Sequence, residues 1–539
     1  MLDARTIGFS KEEIEEFDEY AGKLMDGGME ESTAKDLAEF TIRQKRQDKG
    51  IAEILRKEEI EGARAVLSLR QKNDYDGVFD SYKWLIERGL RKTPIDSFEP
   101  TEKAQAEAAA YYLDGMVRYT AGAGWLAYDD FTGCYRSDIA ETVVSNALQT
   151  LAQERYDLRR AENPKECAKY AEKAVTHYGL KQVEGILKRN LYAADKDFDR
   201  FYYHVNCRGE TYDLYTGQHG PSTPEHFHTK TTGFRPEEGE CPVFRKFLNE
   251  ITMNDPELAA WIMRWFGYNL TGDTGAPYFV NFHGVGRNGK GTLLHVMRQI
   301  IGNYAREIDH EIIVDTKRGG NVKNALVNLV GIRAGFAADV PAGSLNLSEI
   351  KKITGGDEIV AERKYHDSFT FRPVVKLTFS SNPRIHLSET GQNIKSRLRY
   401  IPFRYSAVGH EDTDLENKIL KEAPQILAWL IREAGEYLKN PGPKGFPPCG
   451  VIDEATDEYI KDEDIIGQFL EEKIIHAPYN HVGAKDLFAE YENWAHKRGD
   501  KKTMSNQAFG RKISERDIAK VHNMHGWWYK DIKIRGGNE

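Results

Sequence analysis

The stretch FVNFHGVGRNGKGT, residues 279–292, joins an apolar run to a glycine-rich turn that ends in lysine, glycine and threonine. The apolar run predicts a strand before the turn, and TLLHVMRQIIG predicts an amphipathic helix after it. This context is typical of a phosphate-binding loop, because N–H groups at a helix start cradle phosphate and a lysine reaches the β and γ oxygens. The predicted nucleotide-binding residues are Gly284, Gly286, Asn288, Gly289, Lys290, Gly291 and Thr292.

The residue after the loop lysine departs from the usual motif. Serine or threonine normally follows the lysine and its hydroxyl binds Mg²⁺, whereas here Gly291 holds that position and the hydroxyl comes from Thr292. Either Thr292 is the Mg²⁺ ligand or a water takes that place. A GKGT ending occurs in small nucleotide kinases as well as in motor ATPases. The loop alone therefore predicts binding of a nucleoside triphosphate and leaves its use open.

Residues 273–440 alternate apolar strands with helical segments, which predicts an α/β domain with a parallel sheet. One strand, IRAGFAAD, ends on Asp339, and another, VVKLTFSSN, ends on Asn382. An acid at a strand end can hold Mg²⁺ or polarise the attacking water, although many such acids are only turn residues. Asp339 is therefore a candidate metal ligand and catalytic residue.

The length of 539 residues predicts further domains around this core. Residues 1–102 are charged and helical in pattern, and residues 103–241 mix strands with turns as an accessory domain. Residues 242–272 predict a short helical bundle. Residues 441–450 hold four prolines and three glycines, as linkers do, and residues 451–539 form a last module.

The last module combines two predicted helices, a strand-like ribbon and clustered cations. This pattern predicts a winged-helix-like DNA-binding domain, although the same cations could form only a solvated face. The formal net charge of −9 disfavours a uniformly basic protein but leaves room for such a local patch.

Cysteine usage and apolar runs limit the protein class. Five cysteines are scattered without a CxxC pair, which disfavours a disulfide framework and a zinc site. No apolar run approaches the roughly 18–20 residues that a membrane span needs. We therefore expect a cytoplasmic protein with no membrane partner.

Several motifs follow one another in a fixed order: GVGRNGKGT, KKITGGDEIVAERKYH, a strand ending in SSNP, and SRLRYIPF. Together they resemble the superfamily 3 helicases of the phage and plasmid primase-helicase type, related to the poxvirus primase-helicase. Upstream, YDLYTGQH, CPVFRKFLNEI and FGYNLTGDTG are similar to the accessory domain of that family. The resemblance extends from about residue 105 to the end. It implies an AAA+ P-loop NTPase core in an α/β fold.

The resemblance also implies roles for individual residues. Lys290 and Thr292 bind ATP and Mg²⁺, Asp339 is the Walker B acid, and Asn382 is the polar sensor beside the γ-phosphate. Many relatives carry two adjacent acids at Walker B, whereas Val340 follows Asp339 here. Asp339 then serves both purposes, or the base comes from elsewhere.

The resemblance further implies a homo-oligomeric ring, expected to be a hexamer, with catalysis between subunits. Arg397 is the finger supplied to the neighbouring site, where a guanidinium stabilises charge on the transferring phosphoryl group. Arg399 is the rival for this role, because alternation along a strand puts both side chains on one face.

A hairpin between Walker B and the sensor holds DNA in this family. ERKYHD matches its tip, so Lys364 is the expected DNA-binding residue, with Arg363 and His366 beside it. A surface hairpin that carries charge for solubility is the alternative.

Family members often carry a primase domain, whose chemistry needs clustered carboxylates for two metal ions. Residues 1–100 contain no strand-borne D-x-D followed by histidine. The sequence therefore predicts a helicase without primase activity.

The leading interpretation is an ATP-driven DNA helicase that translocates on single-stranded DNA and unwinds forked DNA during replication of a phage, plasmid or other mobile element. A separate primase or origin-binding protein is a further expected partner, in the cytoplasm of a bacterial host. The alternatives are a nucleotide kinase with a GKGT loop, and an NTP-dependent initiator or loader that does not unwind DNA.

Overall fold

The structure is a computed structural model, and its described part leaves gaps along the chain. The described residues are 101–160, 173, 176–315, 322–362, 368–410, 412–499, 503–516, 518–524 and 526–535. Nearly all of the predicted helical region 1–102 therefore lies outside the described residues.

An accessory module of helices and two small sheets comes first. Its helix α1 (Glu102–Leu113) is capped by Thr101, whose hydroxyl accepts from Ala104 N at 3.2 Å. The elements that follow are β1 (Val117–Thr120), β2 (Gly124–Asp129), β3 (Cys134–Arg136), α2 (Ala140–Arg160), α3 (His177–Asn190), β4 (His204–Asn206), β5 (Glu210–Asp213), β6 (His219–Pro221) and 3₁₀ helices at Asp195–Asp197 and Pro224–His226. Strands β1–β3 form one antiparallel sheet and β4–β6 a second.

Three buried histidines lie together in this module. The rings of His226 and His228 stack at 5.3 Å, and His204 in β4 lies 6.3 Å from His226. Burial lowers the pKa of each, to about 3 for His226. The three imidazoles are therefore neutral at pH 7.

Two helices lead into the central domain: α4 (Pro242–Ile251) and α5 (Pro256–Leu270). Helix α5 begins after Asp255, whose carboxylate accepts from the N–H groups of Glu257 and Leu258 at 2.9 and 3.1 Å. Such an N-cap satisfies donors that lack a partner within the helix.

The central domain is built on a five-stranded parallel sheet. Its elements are β7 (Phe279–His283), α6 (Lys290–Ile301), a 3₁₀ turn (Gly302–Tyr304), β8 (Ala305–Glu307), α7 (His310–Ile313), α8 (Val322–Val327), β9 (Ala334–Ala337), α9 (Leu347–Gly355), β10 (Ile359–Glu362), β11 (Ser368–Phe371), β12 (Lys376–Ser381), α10 (Gln392–Lys395), β13 (Leu398–Pro402), α11 (Leu415–Leu420) and α12 (Ala423–Leu438). The strand order is β13-β7-β12-β9-β8, and every neighbouring pair is parallel. The predicted α/β fold with a parallel sheet is confirmed.

Two hydrophobic cores cover the two faces of this sheet. Val280 and Phe282 of β7 pack with α4, α5, α6 and α12 on one face, while Phe279 packs with α7, α9 and α10 on the other. The alternation along β7 follows from the pleat of a strand. Between α9 and β12, strands β10 and β11 form an antiparallel hairpin.

The side chain of Arg333, just before β9, contacts three separate parts of the chain. Its buried guanidinium donates to the carbonyl oxygens of Leu270 at 2.5 Å and Phe201 at 3.1 Å, and it lies 4.5 Å from the centre of the Tyr304 ring. Burial lowers the pKa of Arg333. The accessory module and the end of α5 are therefore both fastened to the amino-terminal edge of the sheet.

The C-terminal part comprises α13 (Gly450–Glu463), α14 (Ile465–Lys473), β14 (Ile474–Gly483), α15 (Ala484–Lys497), α16 (Asn506–Ser514), β15 (Lys520–Asn523) and β16 (Gly526–Ile534), after a 3₁₀ turn at Pro443–Gly445. Strands β14, β16 and β15 form an antiparallel sheet in that order. Phe469, Tyr491 and Phe509 pack in a core of this module. Throughout the described ranges, no helix is long and apolar enough to cross a membrane.

Candidate nucleotide site

The phosphate loop connects β7 to α6 and depends on two glycines. At Gly289 the backbone φ is +84°, and an added Cβ would lie 2.5 Å from Ile251 Cγ2 of α4. At Gly284 an added Cβ would lie 2.5 Å from the carbonyl oxygen of Phe403. Only glycine fits these two positions without a shift of the surrounding chain.

The ammonium group of Lys290, the first residue of α6, is held at the centre of the loop. It donates to Gly284 O at 2.7 Å, to Asn288 Oδ1 at 2.9 Å and to Asn382 Oδ1 at 3.1 Å. Burial lowers the pKa of Lys290, and the carboxylate of Asp339 opposes that shift. The loop thus holds one buried cation where the α6 N-terminus adds its own positive potential.

The segment after β13, residues 403–407, is hydrogen-bonded to the phosphate loop. Asn288 Nδ2 donates to Phe403 O at 3.2 Å, and Ala407 N donates to Arg287 O at 2.9 Å. The loop motif in the sequence indicated Asn288 but not Phe403 or Ala407. Both act through backbone atoms, so their residue types carry no signal of this contact.

Asp339 and Asn382 lie at the same edge of the sheet as Lys290. They follow β9 and β12, which are parallel neighbours, and the carboxyl ends of parallel strands meet at one edge. Asp339 has a φ of +50°, and its N–H donates to Ser380 Oγ at 3.2 Å. Such a backbone conformation is uncommon outside glycine and recurs at functional sites. Ser380 is a site residue that no sequence motif indicated.

Few protein side chains near the phosphate loop could bind Mg²⁺. Thr292 is half-buried in the first turn of α6, and an added Cβ at Gly291 would meet nothing within 4 Å. Within the described part of the chain, no group of three or more His, Cys, Asp or Glu residues could hold a metal ion. The hard oxygens of Thr292 and Asp339 fit Mg²⁺, which usually keeps several waters and takes its remaining ligands from substrate phosphates.

The two candidate finger residues lie at the other edge of the sheet. Arg397 directly precedes β13, whose five residues span roughly 16 Å before the edge that carries the loop. Its guanidinium donates to Thr354 Oγ1 at 3.1 Å and to Lys351 O at 3.4 Å, both in α9. Arg399 instead lies over the Tyr278 ring at 3.8 Å. Neither arginine is brought together with Lys290 in one chain.

The predicted DNA-binding residues Arg363, Lys364 and His366 lie outside the described residues. Their flanks are the paired strands β10 and β11, in which Glu362 lies opposite Ser368.

Two family matches cover separate parts of the chain. Residues 106–253 match the family described as D5 N terminal like, and residues 282–397 match a family of unknown function, DUF5906. The second match contains the phosphate loop and ends at Arg397.

Curated relatives come from large DNA viruses. A putative helicase of Frog virus 3 is 25% identical over 230 residues, 39% of this chain and 23% of that protein. A putative helicase of Acanthamoeba polyphaga mimivirus is 22% identical over 46% of this chain and 28% of that protein. A putative primase of African swine fever virus is 21% identical over 48% of this chain and 30% of that protein. These matches support a primase-helicase family. The chain spans less than a third of the length of each of these relatives.

Among solved structures, the C terminal region of NrS-1 in its apo form is similar over 55% of this chain and 76% of that chain, with 14% identity and a TM-score of 0.36. A second apo structure of that region, covering 56% of this chain and 77% of its own, has 13% identity and the same TM-score.

Proposed function

We propose that the chain is an ATP-dependent, ring-forming DNA helicase of superfamily 3 with an AAA+ core. One observation carries the proposal: the buried ammonium of Lys290 bonds both to the phosphate loop and to Asn382, at the sheet edge that also bears Asp339. A phosphate-binding loop, an acid at one strand end and an amide at the next are the groups that phosphoryl transfer from a nucleoside triphosphate requires.

In the proposed reaction, backbone N–H groups of the loop and the Lys290 ammonium hold the β and γ phosphates. Thr292 and Asp339 would hold Mg²⁺, which would neutralise negative charge on the phosphates. Asp339 orients the attacking water, and Asn382 exchanges its bond with Lys290 for one to the γ-phosphate. Each of these groups already lies at the carboxyl edge of β7, β9 or β12.

Catalysis needs a further cation to stabilise charge on the transferring phosphoryl group. Arg397 lies too far from the loop of its own chain to supply it, which supports a finger given to the neighbouring subunit of a hexamer. Arg399 is less available, because it is stacked on Tyr278.

DNA is the proposed second substrate. The hairpin tip with Arg363, Lys364 and His366 would contact single-stranded DNA in the ring channel, and the winged-helix-like C-terminal module would bind duplex or forked DNA. The similarity to viral helicases and primases supports a role in replication. We place this activity in a bacterial cytoplasm, on the DNA of a mobile element, beside a separate primase or origin-binding protein.

The test compares ATP hydrolysis and strand displacement of the wild-type chain with those of Lys290→Ala. We expect hydrolysis stimulated by single-stranded DNA, unwinding of a fork, and loss of both in the variant. Arg298→Ala is the control on the same helix, since its partly exposed side chain pairs with Glu307 at 2.6 Å. Phosphate transfer to a nucleoside monophosphate without DNA stimulation would instead establish a kinase, and hydrolysis without displacement would establish a loader.

A further inference from the structure

Helix α13 lies along β13 and reaches the segment that follows the sensor residue. Thr456 Oγ1 accepts from Tyr400 N at 3.0 Å, and the rings of Tyr459 and Tyr400 stack at 4.4 Å. The Tyr459 hydroxyl donates to the carbonyl oxygen of Ile385. On its other side, Tyr400 stacks on His283, the last residue before the phosphate loop, at 5.3 Å. Through Tyr400, the helix is thereby in contact with the end of β7 that leads into the phosphate loop.

The last turn of α13 adds two acids to this contact. Arg384 Nη1 lies 2.5 Å from Asp462 Oδ2. Glu463 Oε2 accepts from Leu387 N at 3.1 Å and lies 3.3 Å from His386 Nδ1. The Glu463 side chain is only 13% exposed, so its bonds form in a partly desolvated place where they are stronger than in water. Helix α13 thus holds residues 384–387 at successive positions, together with the backbone bonds of His386 to Gly343 and Leu345 at 2.8 and 2.9 Å.

This segment begins two residues after Asn382. The connecting residue is Pro383, whose ring fixes φ and which has no N–H to bond elsewhere. Asn382 is exposed and lies just past the end of β12, so the ladder of the sheet no longer holds it. Where residues 384–387 lie therefore decides whether the Asn382 amide reaches the 3.1 Å bond with Lys290.

We infer that Asp462 and Glu463 are positioning residues of the nucleotide site, an inference that rests on the proposed function. Both carboxylates bond to residues 384–387 and not to the nucleotide. By fixing these residues, they fix the position of the Asn382 amide. The next residue, Asp464, caps α14 by accepting from Gly467 N at 3.0 Å, and it also bonds to Arg516. The carboxyl end of α13 therefore contacts both residues 384–387 and the C-terminal module.

The test uses full-length Asp462→Asn and Glu463→Gln beside a matched control, Asp457→Asn. Asp457 lies on the same helix and pairs with Lys395 at 2.6 Å, with side-chain exposures of 47% and 52%, against 47% and 46% for the Arg384–Asp462 pair. Asp457→Asn is thus matched to Asp462→Asn: it removes an ion pair of similar exposure whose partner, Lys395, lies outside residues 384–387.

We expect both test variants to lower kcat for ATP hydrolysis roughly tenfold while KM stays within about twofold, since the sensor acts on the transferring phosphate. The control should keep wild-type values. Asp462→Arg alone should lower kcat in the same way, and adding the reciprocal Arg384→Glu should restore it, which a general loss of stability would not allow.

A second readout uses the protein without nucleotide. Hydrogen exchange at the Leu387 amide should accelerate in Glu463→Ala and stay unchanged in Asp457→Asn, because Glu463→Ala removes the acceptor of that N–H. Equal kcat in test and control variants would overturn the inference even if the wild type is an active helicase. A wild type without hydrolysis would overturn the proposed function, and unchanged exchange at Leu387 would by itself overturn the positioning contact.

Discussion

At the scale of single residues, two glycines of the same loop should respond in opposite ways to alanine. Gly289→Ala forces a side chain into a φ of +84° and against Ile251, so the free energy of unfolding should fall by more than about 1 kcal/mol. Gly291→Ala places a methyl group in open space inside a helix, so the free energy of unfolding should rise by about 0.5 kcal/mol. Urea unfolding of the nucleotide-free protein measures both. Equal losses in the two variants would show that the loop backbone differs from the one described.

The phosphate-loop motif singled out Lys290, and the apolar runs placed Asp339 and Asn382 at the ends of two strands, which converge at one edge of a parallel sheet. Their partners were harder to predict. Ser380 contacts Asp339 because β12 lies beside β9, and Phe403 contacts the loop because β13 lies beside β7. The order of strands in a sheet does not follow from their order in the chain.

At the scale of elements, the buried histidines of the accessory module should make its stability depend on pH. Their pKa values are lowered in the folded chain, to about 3 for His226, against roughly 6.5 when unfolded. Thr223 N donates to His226 Nδ1 at 2.8 Å, a bond that needs this nitrogen unprotonated. The unfolded chain therefore binds more protons below pH 6.5. Stability is fully present above that pH and is lost as the pH falls, by about 1.4 kcal/mol per histidine and pH unit.

Thermal unfolding between pH 7.5 and 5 measures this loss. His226→Asn should lower the slope of stability against pH by the contribution of one bound proton. The amide oxygen of asparagine can still accept from Thr223 N, but it does not titrate. His219→Asn is the control, because that ring is half exposed on β6. A pH slope that is the same in His226→Asn and in the wild type would contradict the assignment.

Apolar runs were enough to predict four strands of the parallel sheet, since a strand buried on both faces is largely apolar. They missed the edge strand β8, whose residues Ala305–Glu307 are partly or fully exposed. Pairing between distant helices was not predictable. Helix α5 packs on α12, where an added Cβ at Gly267 would lie 2.7 Å from Ala434 N, and Arg264 bonds to Glu433 at 2.7 Å. Each helix shows only its own apolar face, and nothing in the sequence tells which face meets which.

At the scale of the whole molecule, the two halves of the proposed catalytic site lie at opposite edges of one sheet. Lys290, Asp339 and Asn382 lie at the carboxyl edge, and Arg397 lies at the amino edge, where its guanidinium bonds to Thr354 of α9. A single chain therefore holds both halves but cannot close them on one nucleotide. Closed rings built from head-to-tail interfaces bring such opposite surfaces together.

The most direct measurement of this arrangement is ATP hydrolysis by a mixture of Lys290→Ala and Arg397→Ala chains. Each variant alone should be inactive, and Arg397→Ala should still bind a nucleotide analogue. In an equal mixture about one interface in four combines an intact Lys290 with an intact Arg397 from the neighbour, so about a quarter of wild-type hydrolysis should return. Full activity of Arg397→Ala alone, or a mixture that assembles together yet stays inactive, would contradict catalysis between subunits.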